Sequence, residues 1–425
     1  MFERIKAPLY RLLRSSEKYT KTDMVHFFSA NFWLNISRFI AIGSGMALTV
    51  AFANLLTPES FGTYKYVLAS AGLIAAFSAN GLMLSLSRAA AQGNLNIIPT
   101  VVRIATLWSI PASIGALTIS LWYFSHSNIE LGFAFLCIAF TNSISNGIGI
   151  TKGVWQARGE YKLATIVGLP KMILPAVVIL LTILFTKSVF WILLAYFLSN
   201  LLVSVFGYFF MLRHLRVKSS SEGAQEAIRY GQQVSLLGIF QLASAQIDQL
   251  LLWHFSTPVA LATYALAMTP VNEVRNLLGN FLTVLFPKLA IKTKEEAYRT
   301  VPLRMKQMFI AALILTIIYI LCIPFLFKYL FPKYLESVLV SQVLALTILF
   351  QPRAIVDTLF AAHAEMGNRL KILTISQVID FALALALVPF FGLWGVVWAT
   401  LLSEAISALM FILVYRQAAK KMQAS

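Results

Sequence analysis

Cysteine and histidine are scarce, at two and five among 425 residues. That leaves little raw material for a zinc or iron site, a disulfide scaffold or a histidine-dependent triad. No GxxxxGK[ST], GxGxxG or HExxH run occurs, so nucleotide, dinucleotide and zinc-protease chemistry have no recognisable seat. The reading assigns no catalytic residue, no metal ligand and no cofactor. Charge is scarce as well: 12% of residues are charged, whereas about 25% is usual in soluble domains. Acids are the rarer sign, 17 against 34 lysines and arginines, for a net charge of +17. No cleaved leader is expected, because the apolar run that ends near Ala51-Phe52-Ala53 is too long, starts late and contains Arg38.

What fills the chain instead is apolar residues, 59% of the total, with mean hydropathy +0.78. A bilayer core of about 30 Å needs about 20 apolar residues per helical span. Twelve such runs can be read: 29–55, 63–87, 104–124, 130–150, 164–186 and 189–212, then 233–256, 262–287, 307–328, 338–361, 371–391 and 393–415. The predicted class is therefore an all-α polytopic membrane protein with twelve transmembrane helices. Both ends and alternate loops carry nearly all the cations, including Arg213, Arg216, Lys218 and Arg229, and Lys294, Arg299, Arg304 and Lys306. The opposite side carries only Lys65, Lys187, Lys328 and Lys333. The positive-inside bias then predicts cytoplasmic N and C termini. The basic charge is explained by topology and anionic head groups, so no nucleic-acid partner is expected. In the first 20 residues, Phe2, Ile5, Leu9, Leu12 and Leu13 share a helical face, as in a helix lying on the membrane surface.

Shifting the chain by 200 residues aligns Thr57-Pro58 with Thr257-Pro258 and Thr63-Tyr64 with Thr263-Tyr264. Both matches fall between the first two helices of a six-helix half. Six is even, so the halves enter the membrane alike, and a pseudo-two-fold axis along the membrane normal is predicted. The domain reading is an amphipathic segment 1–25, a bundle 26–212, a linker 213–232, a bundle 233–415 and a tail 416–425.

The stretches LLTPESFGTYKYVLAS (55–70), VWQARGEYK (154–162) and IDQLLLWHFSTPVALATYALAMTPVNEVR (247–275) resemble the polysaccharide transporters of the multidrug/oligosaccharidyl-lipid/polysaccharide exporter superfamily. Those are the lipid-linked oligosaccharide flippases of O-antigen and capsule synthesis. The resemblance implies a MATE-like, V-shaped pair of six-helix bundles working by alternating access, and leaves the sugar open.

Ionisable groups in lipid are costly unless they face water or protein, so each is a functional candidate. Away from their ends the spans contain Arg38, Lys171, Arg275 and Arg353 with Asp248, Glu273, Asp357, Asp380 and Glu404, all five acids falling in the second half. Asn31, Asn35 and Arg38 share one stripe, as do Thr269, Asn272, Glu273, Asn276 and Asn280. Arg38 and Lys171, in a half whose spans contain no acid past the terminal Glu130, suit an anion such as a lipid diphosphate. Substrate-binding candidates are Arg38, Lys171, Arg275, Arg353, Asn35 and Asn272. Asp248, Glu273, Asp380 and Glu404 are candidates for coupling to H⁺ or Na⁺. Arg353 and Asp357, four residues apart, are expected to neutralise each other.

The predicted function is a flippase carrying an undecaprenyl-diphosphate-linked oligosaccharide across the inner, cytoplasmic membrane. It is expected to be a monomer among membrane lipids, working beside glycosyltransferases and a polysaccharide polymerase. Three alternatives stay open. A cation-coupled drug exporter would favour acids in the first-half cavity. A peptidoglycan-precursor flippase would have fourteen spans. A membrane glycosyltransferase or polymerase would need a substantial outer loop.

Overall fold

The computed structural model describes residues 24–218, 220, 223–291, 293–363 and 365–424. The amphipathic segment read at the N terminus and the last tail residue lie outside these, as do the side chains of Asn31 and Asn280. Every regular element described is helical. The α-helices are α1 (Met24–Leu55), α2 (Pro58–Ala76), α3 (Leu82–Ala91), α4 (Ile98–Trp108), α5 (Ile110–Ser125), α6 (Ile129–Gly149), α7 (Val154–Ala157), α8 (Tyr161–Phe185) and α9 (Val189–His214). They continue with α10 (Ala224–Phe255), α11 (Pro258–Ala290), α12 (Lys294–Leu330), α13 (Ser337–Ala345), α14 (Arg353–Ala362) and α15 (Met366–Ala424).

Among the described residues, eight helices are long and apolar enough to cross a bilayer, and a pair bent by 41° at its break, 337–350 with 353–362, makes nine. The remaining apolar runs have physical reasons for not standing out. The second is split between α2 and α3 by a break at residues 77–81. The eighth, on α11, is interrupted by Asn272, Glu273, Arg275 and Asn276. The last two are merged in α15, which turns at Gly392 with φ 53° and ψ −124°, a left-handed conformation that glycine adopts without a Cβ clash. The protein is an all-α polytopic membrane protein.

The chain forms two compact units. The first holds residues up to Thr49 and Phe77–Gly238. Its buried cluster joins Leu82, Leu86, Ile98, Val101, Trp155 and Met211. Gly81 permits a close crossing there: a Cβ would stand 2.4 Å from the Gly231 carbonyl, and the Gly81 N–H instead donates to Ser235 Oγ at 2.9 Å. Asn142 Nδ2 donates to Ser113 Oγ at 3.2 Å, and Asn142 Oδ1 accepts from Asn146 Nδ2 at 2.6 Å, so these amides fasten α6 to α5.

The second unit holds Val50–Ala76 and Ile239 onward. The end of α1 and all of α2 therefore pack with second-half helices. The two Thr-Pro signatures have one local structure: Thr57 Oγ1 caps the Ser60 N–H at 3.2 Å and Thr257 Oγ1 caps the Ala260 N–H at 3.1 Å. Each threonine satisfies an orphan donor of the first turn and the proline behind it has none to satisfy. The helices so started, α2 and α11, touch where Gly62 meets Pro258, whose carbonyl oxygen would be 1.9 Å from a Cβ. Tyr66 stacks on Trp253 at 4.3 Å.

Candidate functional site

The second unit gathers most of the intramembrane charge. Glu404, on the limb of α15 after Gly392, accepts from Arg275 of α11 on Oε1 and from Arg353 Nη2 on Oε2, the latter at 2.6 Å. Arg353 opens α14, directly after the broken stretch, and its other nitrogen donates to Ser407, which also accepts from Ser376 at 3.0 Å. With its oxygen turned toward the guanidinium, the Gln351 amide accepts from Arg275 Nε at 2.9 Å. One carboxylate thus serves two guanidiniums. Charge-assisted bonds of this kind recover the cost of removing the ions from water only when each is well met.

Beside this triad is a second carboxylate cluster. Asp248 of α10 accepts from the Tyr264 hydroxyl at 3.0 Å and from Thr400 Oγ1 at 3.5 Å. Asp380, on the first limb of α15, accepts from Ser403 at 2.5 Å. Asp248 and Asp380 are near enough to interact electrostatically, and Asp380 also feels Glu404 and Arg353. Three of the four coupling candidates and two of the cationic ones therefore join one network across α10, α11, α14 and α15. Glu273 stays outside it and makes no hydrogen bond or ion pair with any described residue. Asn272 is exposed.

The anticipated pairing of Arg353 with Asp357 does not form. Asp357 takes Arg369 instead, at 2.7 Å to Nε and 3.3 Å to Nη2. Helical spacing places 353 and 357 on one face, but the α15 limbs bring Glu404 and Ser407 to Arg353, and the turn before α15 brings Arg369 to Asp357.

In the first unit, Lys171 of α8 lies beside Pro170, which leaves a backbone carbonyl unbonded in the helix. Its Nζ donates to Ser204 Oγ of α9 at 2.7 Å. Both line a cavity of about 430 Å³ whose wall includes Lys152, Trp155, Asn200 and Tyr208 and, among the described residues, no acid. Lys152 is close enough to act electrostatically on Lys171. Lys152 lies just past the predicted 130–150 span and is not among the substrate-binding candidates named from the sequence. Its signal is the glycine-bounded Ile150–Gly153 turn that ends the fourth apolar run. Arg38 and Asn35 do not line this cavity, although their neighbour Ser37 does.

The profile of a family described as polysaccharide biosynthesis protein matches residues 27–291. No curated protein matches in sequence. Among solved structures, one described as the inward-facing conformation of a multidrug resistance MATE family transporter of the MOP superfamily superposes with TM-score 0.63 at 16% identity, over 93% of this chain and 99% of that one. The outward-facing conformation of such a transporter gives 0.60, at 16% identity over 93% and 96%. The lipid II flippase MurJ, in an inward closed conformation, gives 0.70 at 11% identity, over 90% and 87%. At these identities the likeness is one of fold.

Proposed function

The chain belongs to the polysaccharide biosynthesis protein family, and from that premise we propose that it moves an undecaprenyl-diphosphate-linked oligosaccharide across the cytoplasmic membrane by alternating access. The repeat unit would be that of an O-antigen, a capsule or an exopolysaccharide. The observation that carries this reading is the acid-free cavity holding Lys171 and Lys152. A diphosphate offers several oxygens to two ammonium groups. Asn200 and Ser204 supply hydrogen bonds for sugar hydroxyls, and Trp155 and Tyr208 supply apolar ring faces.

Because Arg275 and Arg353 share Glu404, we assign them to the ionic network rather than to direct substrate binding. Asp248 and Asp380 would take up the coupling H⁺ or Na⁺, since two neighbouring carboxylates are stabilised by a proton or cation between them. We further propose cytoplasmic termini, a monomeric transporter, supply of substrate by glycosyltransferases and consumption by a polymerase. The protein itself performs no bond-making step in this scheme.

The test is reconstitution in liposomes with a lipid-linked oligosaccharide and measurement of its appearance in the opposite leaflet. Translocation that needs Lys171 supports the reading. Transport of organic cations with no movement of the lipid-linked sugar would favour the drug-exporter alternative. Sugar transfer by the purified protein alone would favour a transferase.

A further inference from the structure

Between α12, the turn Leu346–Phe350, the start of α14 and the second limb of α15, the second unit contains a groove of about 450 Å³. This lies within the roughly 300–1,000 Å³ usual for small-molecule sites. Its wall is apolar, with Phe309, Leu349, Phe350, Ala408 and Ile412 among the lining residues, and Lys306 and Arg353 are the charged members among the described residues. Phe309 is 45% exposed, so the groove is reached from the side of the helix surface. Arg353 forms part of the inner wall, its guanidinium 6.0 Å from the Phe411 ring and engaged by Glu404. Lys306 is exposed and makes no hydrogen bond or ion pair with any described residue. Arg416 is in the same position: it is exposed, unbonded among the described residues, and one helical turn beyond Ile412 on the stripe 408–412–416.

Lys306 precedes the apolar run 307–328, and Arg416 follows the run 393–415. Both therefore belong at head-group depth, with the apolar trough running from them into the hydrocarbon. We propose that this groove binds one anionic glycerophospholipid, its phosphate between Lys306 and Arg416 and an acyl chain along Phe309, Phe350 and Ile412. In the topology proposed above this is a lipid of the cytoplasmic leaflet. Charge complementarity selects the head group: Lys306 lines the groove, Arg416 follows one turn beyond Ile412, and none of the described lining residues is an acid. The apolar length of the trough selects a lipid over a soluble phosphate. The chain would lie against the stem of Arg353, so occupancy would brace the Arg353–Glu404 contact. The proposal does not depend on the transport activity.

The experiment uses the full chain, purified in detergent and examined by native mass spectrometry and thermal unfolding with phosphatidylglycerol, phosphatidylcholine, undecaprenyl phosphate or glycerol 1-phosphate added. One retained phosphatidylglycerol and a raised melting temperature are expected, with neither effect from phosphatidylcholine. Lys306→Gln with Arg416→Gln should weaken phosphatidylglycerol binding about 25-fold, since each surface cation contributes about fivefold. Lys218→Gln with Arg229→Gln, which removes the same charge from exposed sites in the first unit, should leave binding unchanged. All four positions are exposed, so folding is not at stake. Equal retention of both phospholipids would overturn the site. So would an equal loss in both double variants, displacement by glycerol 1-phosphate, or displacement by undecaprenyl phosphate at equal concentration. The last result would give the groove to the prenyl tail of a substrate. Because the readout is lipid binding, a failure here and a failure of the flippase assay are separate results.

Discussion

Glu404 accepts a 2.6 Å hydrogen bond from Arg353 on one oxygen while its other oxygen accepts from Arg275. The carboxylate side chain is 13% exposed. Removing it leaves two guanidiniums without a carboxylate, whereas removing either arginine leaves Glu404 with a partner. Glu404→Gln should cost about 3 kcal/mol of stability, the lower range for breaking a buried pair. Arg275→Gln should cost clearly less. Thermal unfolding in detergent ranks the two, and equal melting temperatures would refute the shared-carboxylate account.

Lys171 and Lys152 define the acid-free cavity of the first unit. Lys171→Ala should abolish or strongly reduce flipping without loss of expression, Lys171→Arg should retain part of it, and Lys152→Ala should fall between. Arg38→Ala should act more weakly than Lys171→Ala, because Arg38 is not in the cavity wall. Parental translocation rates in both lysine variants would remove the anion-binding role.

The proposed coupling at the Asp248 and Asp380 carboxylates can be tested directly. Asp248→Asn or Asp380→Asn should leave substrate binding largely intact and remove the response of transport to an imposed pH or Na⁺ gradient. If these groups only hold α10 to α15, the variants would lose melting temperature and the survivors would keep the parental gradient response. Liposome transport with and without each gradient separates the two.

Glu365, in the turn before α15, accepts from Lys294 Nζ at 2.8 Å, the Tyr298 hydroxyl at 2.7 Å and Asn368 at 3.3 Å. Burial pushes its carboxyl up, but these donors more than offset this and its pKa falls below the ordinary value. A depressed carboxylate stabilises the fold at pH above its unfolded value and loses that contribution as pH falls through the folded one. Parent and Glu365→Gln should therefore differ by a constant melting-temperature gap between about pH 6 and 8, closing below about pH 4. A gap that grows on acidification would contradict the contact.

Orientation is open to impermeant thiol labelling. Single cysteines at Lys421 or Arg216 should stay unlabelled in intact cells, while those at Ser127 or Thr257 should react. Labelling at position 421 would reverse the proposed topology.

The sequence by itself determined the helical membrane class, because long apolar runs leave the backbone no partner in lipid other than its own helix. It also determined local punctuation: the Thr57 and Thr257 caps and the break at Gly392 depend on neighbouring residues alone. Tertiary structure decided which charges meet. Arg353 lies 51 positions from Glu404 and Arg275 lies 129 away, and no helical period relates such distances. The nearest acid on the same face, Asp357, lost Arg353 for that reason. Lys152 entered the Lys171 cavity, and residues 50–76 joined the second unit, through the same kind of long-range packing. Composition states how many charges must be satisfied; only the folded chain can state by whom.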